Sequence, residues 1–248
     1  MKSRIIYSHY RCDEIESYLM NSGKKIIDIL FIGATGSGKS STINSIITAH
    51  VSDVGTGTDP ETSCIKKYNL SRNVKLWDTP GLGDSIAADR KYEAEIFRLL
   101  NQKVTNKDQS VSPLIDLVVI IVDGSSREMG TIFKMLNGRL KTVLQSRKLL
   151  VVINQADCAM HTHKDVFIKS RKRATPELLR FLDEKSESVM SRIRESTGFD
   201  ISRPLCYSAK YGFNVKKVFD MMLDTVMCFR ENNQQFDRLK ASVTSAER

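Results

Sequence analysis

Residues 26–40, IIDILFIGATGSGKS, decide how this chain folds. The run Ile26 to Ile32 is short, apolar and rich in β-branched residues, and it stops at Gly33. It reads as a buried strand. Directly behind it, Gly33-Ala-Thr-Gly-Ser-Gly-Lys-Ser40 fits the spacing G-x-x-x-x-G-K-[ST] and leads into a helical segment, Ser40 to Ala49. Strand, glycine-rich turn and helix, in that order, form the context in which this spacing carries chemistry. Glycines let the backbone turn tightly and approach an anion. Successive N–H groups then converge on it, helped by the helix dipole. Gly33, Thr35, Gly36, Ser37, Gly38, Lys39, Ser40 and Ser41 are therefore candidate phosphate-binding residues. Lys39 is expected to reach the outer phosphates of a nucleoside triphosphate, and Ser40 to ligate Mg²⁺ through its hydroxyl.

Outward from this stretch, strand and helix patterns alternate. CIKKYNL (64–70) and VKLWD (74–78) read as a hairpin joined at Ser71-Arg72-Asn73, followed by a glycine-containing loop over 80–88. Arg90 to Leu100 has helical spacing, and the polar stretch 101–113 reads as a loop. Leu114 to Val122 is the apolar run of a central parallel strand. Met129 to Leu144 reads as one helix, Leu149 to Ile153 as another buried strand, and Pro204 to Tyr207 as a short last one. Val215 to Phe229 completes the pattern as an amphipathic helix. The expected fold is α/β, a three-layer arrangement with a mostly parallel six-stranded sheet and helices on both faces. Residues 1–25 are expected to form a helical extension, 26–230 the main domain and 231–248 a mobile tail. The segment 158–195 reads as a basic helical insertion.

In such a sheet, ligands bind beyond the carboxyl ends of the strands, so each functional motif should follow a strand. Three more do. Asp78-Thr-Pro-Gly81 follows the strand ending at Trp77; Asp78 can hold a Mg²⁺ shell and the Gly81 N–H can meet a γ-phosphate. Loss of that phosphate would release the loop 81–89, which makes a switch. Asn154-Gln-Ala-Asp157 follows the strand Leu149 to Ile153. Asp157 can accept from the N1–H and N2 amine of guanine, whereas adenine offers no matching donor pair. Asn154 can bridge the base and the neighbouring loops. In Ser208-Ala-Lys210, the Ala209 N–H suits the guanine oxygen and Lys210 can cover the ring.

These four motifs, in this order, resemble the TRAFAC class of P-loop GTPases, and within it Era-like ribosome-binding GTPases, including bacterial accessory-element members. The resemblance covers about residues 26–230. It implies a GTPase that hydrolyses GTP to GDP and phosphate, with Mg²⁺ as cofactor and Lys39, Gly81 and a switch threonine as catalytic residues. That threonine should lie within 51–63, where Thr56, Thr58 and Thr62 compete. Thr62, directly before the strand that starts at Cys64, is best placed to bind Mg²⁺ together with Ser40 and Asp78.

Three positions depart from the pattern. Leu82 stands where Ras-like proteins carry a water-positioning glutamine, so slow intrinsic hydrolysis is expected. Gly36 replaces the asparagine of potassium-stimulated relatives. Gln155 replaces the lysine whose stem lies over the ribose and base, which should weaken nucleotide affinity somewhat. A nucleotide-dependent binding or scaffold protein with negligible hydrolysis is the alternative. An ATP-dependent kinase shares only the first motif and has no use for Asp157.

Composition bounds the setting. The chain has 248 residues, of which 41% are hydrophobic and 27% charged, enough for a full core. Five scattered cysteines suit a reducing compartment rather than a disulfide framework. With no signal-peptide pattern at the start and no apolar run of membrane length, a cytoplasmic protein is expected. The net charge of +9 fits either solubility or an anionic partner such as a ribosome, RNA or another acidic surface. The cluster Lys164, Lys169, Arg171, Lys172 and Arg173 is open to the same two readings. A nucleotide-dependent homodimer is a further candidate partner arrangement.

Overall fold

The structure is a computed structural model and describes residues 7–47, 64–160 and 166–227. Its centre is strand β1 (Ile27–Gly33), in which every residue is buried. Beside it lie β3 (Val74–Asp78) and β6 (Leu117–Asp123), both parallel to it. Then β7 (Leu149–Asn154) and β10 (Leu205–Cys206) continue the parallel sheet on one side. On the other side β2 (Lys66–Asn69) closes it antiparallel to β3. The order is β10-β7-β6-β1-β3-β2, so the expected six-stranded, mostly parallel α/β sheet is present.

Side chains alternate along β1 and β6 and build two cores. Leu30, Ile32, Val118, Ile120 and Val122 face one layer of helices. Ile27, Ile29, Phe31, Leu117, Val119 and Ile121 face the other. The second core also takes Ile43 and Ile46 from α2 (Lys39–Ile47), Ile15 and Leu19 from α1 (Cys12–Asn21), and Phe219, Met222 and Val226 from α7 (215–227). Helix α1 is thereby packed into the domain as one of its layers. At the far end of the sheet from the motifs, Asp116 interrupts the apolar run that leads into β6. Its carboxylate accepts from the Asp28 N–H at 2.9 Å and pairs with Lys24 Nζ at 2.5 Å. A buried charge in that position is tolerated because it is paired and hydrogen-bonded.

Four expectations change. Helix α3 spans Ile86–Asn101, starting four residues before Arg90, because the Ser85 hydroxyl caps it by accepting from the Ala88 N–H. The polar stretch 101–113 is a hairpin of β4 (Lys103–Thr105) and β5 (Val111–Pro113) rather than a loop. Asn106 holds its turn, donating to Ser110 Oγ at 2.8 Å and accepting from the Ser112 hydroxyl at 3.0 Å. Apolar alternation plays no part there. The single helix expected over Met129 to Leu144 is two, α4 (Gly130–Asn137) and α5 (Lys141–Gln145), broken at Asn137-Gly138.

The fourth change concerns 158–195. A small hairpin of β8 (Phe167–Ile168) and β9 (Arg173–Ala174) precedes α6 (Pro176–Thr197). Thr175 caps α6, Pro176 opens it, and Gly198, at φ 75°, closes it. Leu178, Leu182, Val189 and Ile193 are buried in the first core, so this helix is a layer of the fold and not an added insertion. Thr62, Lys164 and the tail 231–248 lie outside the described residues.

Candidate nucleotide-binding site

The phosphate end is fixed by strand register. Phe31 on β1 pairs with Asp78 on β3, which sets the Asp78 carboxylate beside the loop that follows β1. Loop 34–38 then turns back over the amino end of α2. The turn leaves no room for a side chain at Gly38, which has φ +88° and whose added Cβ would collide with the Asn154 side chain. Gly81 is equally confined, because an added Cβ would strike Thr35.

Lys39 is buried in this loop, and its Nζ donates to Gly33 O at 3.2 Å and Ala34 O at 3.0 Å. Burial pushes its pKa down to about 8, opposed by Asp78 and Asp84. Neutral carbonyls hold this cation, so its charge stays available to an anion. The Ser37 hydroxyl is fully buried in the same loop and has no hydrogen-bond partner among the described residues. An orphaned donor and a carbonyl-held lysine at a helix amino terminus fit a phosphate group. Ser40 Oγ donates to Asp78 Oδ2 at 2.6 Å. A hydroxyl and a carboxylate this close are the hard oxygen donors that Mg²⁺ prefers. Thr79 Oγ1 donates to Phe31 O at 2.9 Å and fixes the strand end that carries Asp78.

The base end is tied to the phosphate end by two side chains, Asn154 and Gln155. Asn154, buried at the end of β7, donates from Nδ2 to Ser37 O at 3.0 Å and accepts at Oδ1 from the Ala209 N–H at 3.0 Å. It joins the first, third and fourth motifs. Gln155, at φ 61°, donates from Nε2 to Gly36 O at 2.8 Å, so the glutamine makes a second tie across the same gap. Asp157 is half-buried on the short turn Ala156–Cys158 and accepts from the Cys158 thiol at 3.3 Å. Ser208 is buried, its N–H donating to Phe213 O and its Oγ accepting from the Tyr211 N–H. Lys210 is exposed, with Nζ 5.5 Å from the Tyr211 ring centre. The structure thus brings the described site residues of all four motifs to one edge of the sheet.

Residues 28–155, 128 of the 248, match the family described as 50S ribosome-binding GTPase. The chain belongs to this family. It is a TRAFAC P-loop GTPase, and guanine nucleotide is its ligand. The GTPase is 32% identical over 176 residues to Translocase of chloroplast 126 of Physcomitrium patens, which covers 68% of this chain and 14% of that protein. It is 35% identical over 95 residues to guanine nucleotide-binding protein-like NSN1 of Arabidopsis thaliana, 38% of this chain and 16% of that protein. The chain therefore spans less than a fifth of either relative. Its fold is similar to Toc33 from Arabidopsis thaliana, with a TM-score of 0.57 at 14% identity, covering 91% of this chain and 96% of that one. Era in complex with MgGDPNP and nucleotides of 16S ribosomal RNA gives 0.51 at 15% identity, covering 82% and 57%.

The loop that follows Gly81 is docked by its backbone on the loop that follows β1. The Leu82 N–H donates to Gly33 O at 3.2 Å, and the Thr35 N–H donates to Leu82 O at 2.9 Å. The Leu82 side chain is buried in the first core, turned away from any solvent position. Gly83 N–H donates to Asp89 Oδ1 at 2.8 Å, and Lys134 on α4 lies 3.6 Å from the same carboxylate. Asp89 and the buried pair Thr42–Tyr207, 2.6 Å between hydroxyls, support the site although no motif contains them. Their roles depend on which strands and helices become neighbours, so no local signal in the sequence points to them.

Proposed function

We propose that this GTPase is a slow, Mg²⁺-dependent switch in the cytoplasm that hydrolyses GTP to GDP and phosphate. The observation that carries the reading is the Asn154 clasp, which ties a carboxylate-bearing base loop to a buried-lysine phosphate loop. In this reading Lys39 and the 34–39 amides bind the outer phosphates, with Gly33, Thr35, Gly36, Ser37, Gly38 and Ser41 shaping the loop. Ser40 and Asp78 hold Mg²⁺, joined by Thr62. When bound, Mg²⁺ neutralises charge on the phosphate oxygens. Gly81 offers its N–H to the γ-phosphate. Asp157 selects guanine, Asn154 and Ala209 position it, and Lys210 and Gln155 cover the base and ribose side.

Water attacks the γ-phosphate, and loop 81–89 carries the outcome to a partner. Leu82 cannot orient that water, so turnover is slow until another group completes the site. A second copy of the chain is our candidate source. Its support is a fold likeness at 15% identity and TM-score 0.57 to the chloroplast translocon components atToc33 and psToc159, for which dimerization is reported as important for GTPase activity. Kinship with Era-like proteins, and an acidic partner such as RNA or a ribosome, belong to the same reading; their support is the family description and the charge of +9. No helix among the described residues is long and apolar enough to cross a membrane.

Single-turnover hydrolysis of bound GTP tests the proposal, with and without Mg²⁺, over a range of protein concentrations. The expected rate depends on Mg²⁺ and rises with concentration. A rate equal to that of free GTP under every condition would overturn hydrolysis and leave a nucleotide-dependent scaffold. Competition between ATP and GTP checks the base assignment.

A further inference from the structure

Away from the nucleotide motifs, loop 124–129 and one flank of α6 enclose an open cleft of about 300 Å³. Its floor is apolar: Val122, Met129 and Val189 are at most 4% exposed. Around it stand three cations, Arg127, Lys185 and Arg192. Lys185 Nζ donates to Ser126 O at 3.2 Å, and Arg192 donates to Arg127 O at 3.3 Å. Lys185 lies 6.0 Å from the Phe181 ring centre and the Arg192 guanidinium 5.6 Å from that of Phe133. Among the described residues, no carboxylate forms an ion pair with any of the three. Among the described residues, Glu184 is the one acidic side chain lining the cleft.

Three positive groups therefore share a partly apolar pocket with one negative group. The hydrogen bonds of Lys185 and Arg192 go to neutral carbonyls, so the pocket keeps an excess of positive charge. Lys185 is held below the ordinary lysine range by burial first, with Arg127 and Arg192 pushing the same way against Asp123 and Cys206. A dianion would offset this positive excess and engage the guanidinium donors, which are shaped for phosphate oxygens. The apolar floor would cover a hydrocarbon body. The volume lies at the lower end of small-ligand sites, roughly 300–1,000 Å³.

We infer that this cleft binds a small phosphate monoester carried on an apolar body. The site shares no residue with the nucleotide motifs, so it stands or falls independently of the proposed switch. The test is calorimetric titration of the full chain, saturated with GDP so that the phosphate loop is filled. Phenyl phosphate is the probe, with inorganic phosphate and phenol as comparison arms. The expected result is saturable one-to-one binding of phenyl phosphate, with each comparison compound at least ~10-fold weaker. Arg127→Gln and Arg192→Gln should each weaken it ~10-fold while GDP affinity and circular dichroism stay unchanged. Arg127 is exposed, so its variant decides the matter even if the Arg192 variant folds poorly. Absence of saturable binding would overturn the inference. So would equal binding of inorganic phosphate, or phenyl phosphate affinity unmoved in the Arg127 variant.

Discussion

At one end of the nucleotide cleft, Ser37 on the loop, Lys39 at the start of α2 and Asp78 at the end of β3 are buried, held together by the Lys39 bonds to loop carbonyls and by the register of β1 with β3. At the other end Asp157 is half-buried on a three-residue turn and Lys210 is exposed. The phosphate end is mostly backbone, so its geometry follows from the fold. The base end is mostly side chain, so its selectivity can change with little effect on the fold. Asn154, which bonds both the phosphate loop and the Ala209 N–H, belongs to both ends. Asymmetry of this kind predicts that variants at the phosphate end remove binding, whereas variants at the base end redirect it.

The largest effect should come from Lys39→Ala. Removing the buried cation should cut GTP affinity ~1,000-fold or more, as loss of a charge-assisted contact in a desolvated site does. Fluorescent-nucleotide titration would measure it, and retained affinity would break the assignment of the phosphate end. Next, Asp157→Asn should lower GTP affinity ~100-fold and favour xanthosine triphosphate, while the fold is unchanged. An unchanged ratio of the two nucleotides would show that the base end does not read guanine through Asp157.

Asn154→Ala tests the link between the ends. Two buried hydrogen bonds are lost, and the Ser37 carbonyl and Ala209 N–H lose their partner. Denaturant titration should show a loss of about 2–3 kcal/mol, with weaker binding of both nucleotides alike. A change confined to one nucleotide would place Asn154 at the base end alone. The smallest effect is expected for Gln155→Lys. The Gln155–Gly36 tie already spans the gap, so a lysine there should strengthen GDP binding only ~3-fold, read as a slower release rate.

Local sequence carried far into this site. The first motif was legible because its glycines and Lys39 lie within one short stretch between a strand and the helix it begins. Order after strands made the weaker motifs at Asp78, Asn154 and Ser208 informative. The misreadings have local causes. Polar residues of 101–113 hid the β4–β5 hairpin, because side-chain hydrogen bonds and not apolar alternation hold it. The charges of 158–195 hid the spacing Leu178, Leu182, Val189, Ile193, although Thr175, Pro176 and Gly198 marked both ends of α6. The helix break at Gly138 is masked in the sequence because the apolar period runs on across it.

By itself the amino-acid sequence determined the α/β layout, the strand-end motifs and guanine as the base, since each rests on residue type and short-range spacing. Tertiary structure alone decided that Asn154 and Gln155 bridge to the phosphate loop, that Leu82 turns into the core and that three cations meet beside α6. Those facts join residues far apart in the chain. Which of them become neighbours is set by how the strands register and how the helices pack over them.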